Sequence, residues 1–174
     1  MPALELVLPI GISFYTFQAV SYLIDVYKKD IHPEKQFGRY ALFVAFFPQL
    51  VAGPIERAKS LLPQLRNDIS FNYSKAVEGI KLIIWGYFMK VVVADRLALY
   101  VNIVYDEPEL HSSITYIVAS VFFAFQIYCD FGGYSNIAIG TAKIMGFDLM
   151  TNFRRPYFAQ NVSEFWRRWH ISLS

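Results

Sequence analysis

The sequence predicts an all-α protein that crosses a membrane several times, and three observations carry that prediction. Of its 174 residues, 55% are hydrophobic and only 17% charged, well below the quarter usual in a water-soluble domain. Aromatic side chains make up 18%. Together with a mean hydropathy of +0.33, that excludes a disordered chain, which is poor in aromatics and has little surface to bury. Finally, long uncharged stretches alternate with charged clusters. A single membrane domain over residues 1–174 is the natural division at this length. A net charge of +2 with scattered basic residues gives nucleic acid no footprint. The lone cysteine, Cys129, excludes an internal disulfide and a cysteine-based zinc site, and no histidine-pair motif implies another metal.

Leu6 to Ile24 supplies nineteen uncharged residues, enough to cross ~30 Å of hydrocarbon as a helix. Met1 to Glu5 lacks the basic start of a secretory signal. A first span is expected here, its Pro9 and Gly11 tolerated through packing against other helices. Tyr40 to Ile55 is uncharged over sixteen residues, contains Pro48 and runs through Gly53-Pro54. Lys28, Lys29, Lys35 and Arg39 precede it, and Arg57, Lys59 and Arg66 follow. A crossing segment separates a basic side from a less basic one, so a re-entrant segment is expected; a short, tilted crossing helix is the alternative. Lys81 to Tyr100 is apolar apart from Lys90, Asp95 and Arg96 inside it, and it leads to the acidic loop Asp106, Glu107, Glu109. It is expected as the second span. Leu110 to Cys129 carries no Asp, Glu, Lys or Arg over twenty residues and forms the third, returning to Lys143, Arg154 and Arg155. Positive-inside counting then puts the amino terminus outside, Lys28 inside, Glu107 outside and Arg154 inside.

A simple anchor needs no polar residues within its spans. Lys90 lies near the middle of the second span, where a charge is costly and by default functional. Snorkelling or local pairing with a carboxylate is the other reading; either marks an inward face. In Gln126-Ile-Tyr-Cys-Asp-Phe-Gly-Gly-Tyr-Ser-Asn136, the glycine pair permits a break and a close backbone approach. Asp130, Tyr134, Ser135 and Asn136 would then point into an enclosed cavity. A polar helix end at headgroup level, with tyrosine as interface anchor, is the alternative.

The carboxyl-terminal segment is the sharpest signal. Asn161-Val-Ser-Glu164 has capping-box spacing and predicts the start of a short amphipathic helix. At 100° per residue, Phe165, Trp169, Trp166 and His170 fall within one arc of about 140°, with the arginines elsewhere. Partial burial on that aromatic face disfavours imidazolium, leaving His170 neutral and able to act as a general base. The same helix also reads as an interfacial anchor in which His170 is incidental.

Four segments taken together carry a resemblance: Leu8-Pro-Ile-Gly-Ile-Ser-Phe-Tyr-Thr-Phe-Gln18, Phe46-Phe-Pro-Gln-Leu-Val-Ala-Gly-Pro-Ile55, Phe125-Gln-Ile-Tyr-Cys-Asp-Phe131 and Glu164-Phe-Trp-Arg-Arg-Trp-His-Ile-Ser-Leu-Ser174. In order and spacing, they resemble the membrane-bound O-acyltransferase (MBOAT) family. The fit is best to its bacterial AlgI-like, alginate O-acetylation branch, which is related to the teichoic-acid D-alanylation proteins. The sequence departs from the family in having Asp130-Phe-Gly-Gly-Tyr-Ser-Asn136 where members commonly show Asp-Phe-Ser-Gly-Tyr-Ser-Asp.

The resemblance implies a polytopic bacterial inner-membrane enzyme of many helices with a path through the bilayer. It implies O-acetylation of a cell-surface polysaccharide, using a cytoplasmic acyl donor such as acetyl-CoA or an acyl-carrier thioester and no bound cofactor. Extracytoplasmic acetylation proteins or the polysaccharide itself, and membrane lipid, are the implied partners. His170 matches the histidine of the family's Trp-His-Ile-Ser-Leu-Ser motif and is the expected catalytic base. Asp130, Tyr134, Trp166, Trp169 and Lys90 are the expected cavity or substrate-positioning residues. Because the family has helices upstream of Leu6 and a second histidine downstream, the chain is expected to be the central part of a larger fold. A non-enzymatic conduit or scaffold subunit for polysaccharide modification or export is the competing expectation.

Overall fold

The computed structural model describes residues 11–50 and 53–173, which are helical with no strand among them. The elements are α1 (Ile12–Tyr27), α2 (Phe37–Val44), α3 (Ala58–Arg66), α4 (Tyr73–Tyr87), a π-helical turn (Phe88–Ala94), α5 (Asp95–Asp106), α6 (Ser113–Ile144) and α7 (Val162–Arg168). Short 3-10 turns lie at Phe47–Gln49, Pro108–Leu110, Pro156–Phe158 and Ile171–Leu173. Leu6 to Ile10, including Pro9, and Val51-Ala52 of the expected re-entrant segment lie outside the described residues.

α4, the π turn and α5 follow one another with helical backbone at both junctions, giving a rod about 50 Å long at 1.5 Å per residue. It runs antiparallel to α6 along a seam built on glycine. A Cβ placed on Gly79 would fall 2.5 Å from the carbonyl oxygen of Gly140, and one on Gly140 would fall 2.5 Å from that of Gly79. Two turns away, Gly86 and Gly133 stand in the same relation, at 2.6 and 2.7 Å. Any side chain at these positions would separate the helices, so the backbones touch, as small residues allow between membrane helices. The residue four beyond each glycine closes over the opposing one: Ile83 over Gly140, Ile144 over Gly79, Ile137 over Gly86, and Lys90 over Gly133.

α6 stops where Gly146, at φ +92, turns the chain. Gly146 N–H donates to Lys143 O and Phe147 N–H to Ala142 O, a Schellman end whose left-handed residue favours glycine. The turn brings Phe147 and Leu149 back into the main core, where they meet Tyr22, Phe43, Phe46, Leu61, Leu62 and Ile139. That core packs α1, α2 and α3 against the carboxyl-terminal half of α6. Ion pairs tie the same end: Lys143 to Glu78 at 2.7 Å, Lys75 to Asp148 at 2.6 Å and Arg66 to Glu34 at 2.7 Å.

Two expectations need correction. The Gly132-Gly133 pair does not break its helix, because both glycines sit mid-helix in α6 and are used for close packing: against α4 at Gly133, and against Met89 of the π turn at Gly132. The apolar run from Leu110 likewise does not end at Cys129 but continues as helix to Ile144. α6 is the one helix, among the described residues, long and apolar enough to cross a membrane. In the Tyr40 to Ile55 region, α2 is only eight residues long and an elbow containing the 3-10 turn Phe47–Gln49 follows it. That elbow is held by glutamines. Gln18 Nε2 donates to Phe43 O at 3.0 Å and Gln49 Nε2 to the same oxygen at 3.3 Å, satisfying a carbonyl that the end of α2 leaves unpaired.

The seam predicts opposite signs for two glycine substitutions. Gly133→Val must drive α4 from α6 and is expected to lower stability by about 1–3 kcal/mol or more. Gly38→Ala, on α2 with nothing within 4 Å of the added Cβ, is expected to raise it by up to ~1 kcal/mol. Thermal melting of the whole protein in detergent checks both.

Candidate active site

α7 begins as the sequence predicts. Asn161 Oδ1 accepts from Glu164 N–H at 2.8 Å, while Glu164 reaches back to the N–H of Gln160 at 2.8 Å, one residue before the partner a standard capping box would use. The helix then ends at Arg168, earlier than the 100° projection assumed. Trp169 is extended and His170 takes a left-handed conformation, φ +46. His170 therefore does not share a helical face with the tryptophans; it occupies a turn beyond the helix. For a residue other than glycine, such a turn costs about 1–3 kcal/mol and must be imposed by its surroundings.

Backbone and side-chain bonds impose it. Arg154 N–H donates to Arg168 O and Ile171 N–H to Asn152 O, each at 2.9 Å, so residues 152–154 run beside 168–171 and bracket Trp169 and His170. Asn152, only 1% exposed, adds its side chain. Its Oδ1 accepts from the N–H and hydroxyl of Ser172 at 3.3 and 2.9 Å, and its Nδ2 donates to Ser135 Oγ of α6 at 3.1 Å. Sequence reasoning missed Asn152 and placed Ser135 in a cavity. The available signal was a lone amide between Thr151 and Phe153, which becomes informative only once its partners are known.

Aromatic rings enclose this turn. The His170 ring stands edge to face with Phe131, centroids 4.7 Å apart. Trp169 packs between Phe153 and Phe165, at 5.0 and 5.5 Å, with Tyr128 and Tyr157 completing the cluster. Tyr157 donates its hydroxyl to Ala124 O of α6 at 2.5 Å. His170 Nε2 is buried and has no hydrogen-bond partner among the described residues. Burial holds the imidazole below its usual value of 6.5, since desolvation penalises the charged ring. Trp166 is not part of the enclosure: it packs edge-on to Phe165 and is 58% exposed. Ser172 and Leu173 form one wall of a cavity of about 330 Å³, lined also by Ile24, Asp25, Lys28 and Arg57.

Lys90, Asp130 and Tyr134 form a second group. Lys90 Nζ lies 2.5 Å from Asp130 and 3.0 Å from Asp95, and 5.5 Å from the centre of the Tyr134 ring. Of the two readings of Lys90, the structure shows the local pairing with carboxylates, while its stem packs over Gly133. Asn136 donates instead to the Met89 sulfur, at 3.5 Å. The two groups sit on neighbouring faces of α6, through Asp130 and Phe131. Among the described residues, no three His, Cys, Asp or Glu side chains converge as metal ligands would.

The profile of the MBOAT, membrane-bound O-acyltransferase family matches residues 34–174. The chain belongs to this family. It is 43% identical over 170 residues to the probable alginate O-acetylase AlgI of Pseudomonas putida, across 98% of this chain and 35% of that protein. The peptidoglycan O-acetyltransferase of Helicobacter pylori is 38% identical over 197 residues, across 98% of this chain and 37% of its own. The teichoic acid D-alanyltransferase of Streptococcus thermophilus is 29% identical over 180 residues, with 95% and 41% covered. The chain spans about a third of the length of the O-acetylating relatives. The family match reaches from Glu34 to the end of the chain, and so takes in both Lys90–Asp130 and the His170 turn.

The Lys90 group predicts a non-additive result. Lys90→Met leaves Asp130 without its cation and is expected to lower the melting temperature of the whole protein. Adding Asp130→Asn to the same variant is expected to recover part of the loss, since the unpaired charge goes.

Proposed function

We propose that the protein containing this chain is a bacterial inner-membrane O-acyltransferase that acetylates a hydroxyl of a cell-surface polysaccharide. The observation that carries the reading is the Nε2 of His170, buried against Phe131 with no hydrogen-bond partner among the described residues, at the family's Trp-His-Ile-Ser-Leu-Ser segment. The names of the alginate and peptidoglycan relatives support the class of acceptor.

His170 is assigned as general base. With the proton on Nδ1, Nε2 takes the proton of the acceptor hydroxyl as that oxygen attacks the carbonyl carbon of an acyl thioester. The O–C bond forms, the C–S bond breaks, and the imidazolium returns its proton to the leaving thiolate. Phe131, Trp169 and Phe153 keep water from the turn, which protects the thioester from hydrolysis and keeps the ring neutral. Lys28 and Arg57, on the cavity behind Ser172, suit the phosphates of a cytoplasmic donor such as acetyl-CoA or an acyl-carrier thioester; no bound cofactor takes part. Lys90, Asp130 and Tyr134 are assigned to the polar side of the path, and Trp166 to the membrane–water boundary, where tryptophan is favoured.

In this reading, the rod from Tyr73 to Asp106 leads from the cytoplasmic face outward and α6 returns. α1 belongs to a further span, and the elbow after α2 is re-entrant. Extracytoplasmic acetylation proteins or the polysaccharide meet the enzyme on the Glu107 side. Charge alternation supports this placement. Single cysteines near Glu107 are expected to react with an impermeant thiol reagent from outside, and those near Lys59 and Arg154 only after the membrane is opened. Labelling beside Arg57 from outside would overturn the re-entrant assignment.

In the whole protein, His170→Ala is expected to reduce acyl transfer roughly 10²-fold or more while leaving the amount in the membrane unchanged. His170→Gln, which cannot take up a proton, should be nearly as inactive. Because burial lowers the ring's pKa, the base is neutral at pH 7 and activity should fall only as pH drops below 6.5. An acid limb above 6.5, or near-normal product from His170→Gln, would return His170 to a structural role. Counting donor consumed against acceptor acylated separates an enzyme from a conduit, which moves its cargo unmodified.

A further inference from the structure

Asn152 is the polar residue that connects the His170 turn to the membrane helices. Three features set it apart. It is almost wholly buried, although neither charged nor on a helix. Its amide is committed at both ends, with Oδ1 taking two bonds from Ser172 and Nδ2 giving one to Ser135. Its own carbonyl accepts from Ile171. Ile171 and Ser172 are the two residues after His170, so Asn152 grips the chain immediately beyond the left-handed φ. The orientation of the amide is fixed by chemistry, because the Ser172 N–H needs an acceptor and only Oδ1 can be one. Ser135 lies four residues beyond Phe131, the ring against which His170 stands, so the two neighbours of the histidine turn lie one above the other on α6.

We propose that Asn152 is the positioning residue for His170, holding the imidazole against Phe131 by tying the Ser172 end of its turn to Ser135. The proposal rests on the assignment of His170 as base and adds a residue that does not itself touch substrate. Without the amide, the turn keeps its backbone bracket but loses the side-chain bonds that fix its distance from α6. A displacement of about 1 Å in a catalytic group can cost about 10²-fold in rate.

The test compares Asn152→Ala in the whole protein, in its membrane, with and without His170→Gln. Asn152→Ala is expected to lower kcat by about 10- to 100-fold while KM for the acyl donor changes by less than about threefold. On the His170→Gln background, the same change should lower the residual rate less than about twofold, because residues that act through one group are not additive. An unchanged kcat in Asn152→Ala, with His170→Gln inactive, overturns the positioning role and leaves the base assignment standing. An equal loss on both backgrounds also overturns it, since Asn152 would then act through the fold. If His170→Gln is fully active, it is the base assignment that fails. If Asn152→Ala does not accumulate, Ser172→Ala carries the test: it removes one of the two bonds to Oδ1 without opening a hole at Asn152. A several-fold fall in kcat, absent on the His170→Gln background, supports the role, and an unchanged kcat overturns it.

Discussion

Backbone contact between α4 and α6 is the constraint on which the rest of the structure depends. At Gly79–Gly140 and Gly86–Gly133, the two helices meet with no side chain between them, allowing weak Cα–H···O contacts and dense packing. In an apolar solvent no hydrophobic force drives helices together, so close packing has to do it. Once the seam is set, α6 presents defined faces. One meets α4 through glycine, and another carries Phe131 and Ser135 toward the His170 turn. Lys90 reaches Asp130 because it occupies the position that isoleucine fills over the other three glycines of the seam, and its stem lies over Gly133.

The buried polar residues among those described, Gln18, Gln49, Glu56, Ser135 and Asn152, have specific partners. Gln18 and Gln49 both serve the carbonyl of Phe43, Gln49 Oε1 takes the N–H of Glu56 at 3.4 Å, and Glu56 Oε2 takes the N–H of Met150 at 2.8 Å. These bonds tie α1 and the end of α2 to the segments before α3 and after α6, where backbone groups outside helices would otherwise go unsatisfied at high cost. The two glutamines belong to the segments that carry the family resemblance. Their part in those segments is to hold the elbow, whereas Nε2 of His170, like Tyr116 Oη and Gln126 Oε1, has no hydrogen-bond partner among the described residues.

Helical class and the start of α7 were legible in the sequence, because hydropathy and Asn161 act locally. The aromatic character of the His170 surroundings was legible for the same reason. The end of α7 was not. Nothing in Arg167-Arg-Trp-His170 stops a helix, and it ends because Asn152 and Arg154, distant in sequence until the chain folds, take the hydrogen bonds that continue it elsewhere. Gly132-Gly133 misled for a related reason: glycine signals both a break and a close approach, and only the partner helix decides between them. Gly79 and Gly86, seven residues apart, and Gly133 and Gly140, spaced alike, carried the deciding pattern, visible only when the two pairs are read together.

That spacing also governs how α4 can move. A slide of one helical turn along α6 would bring a glycine of one helix against a bulky side chain of the other. The next register that sets glycine against glycine lies seven residues away, about 10.5 Å, and retains one of the two crossings. The pair therefore has a single deep register and no nearby second one. It cannot work as a piston: α4 and α6 move as one body, and any larger motion belongs to elements that hinge against the pair.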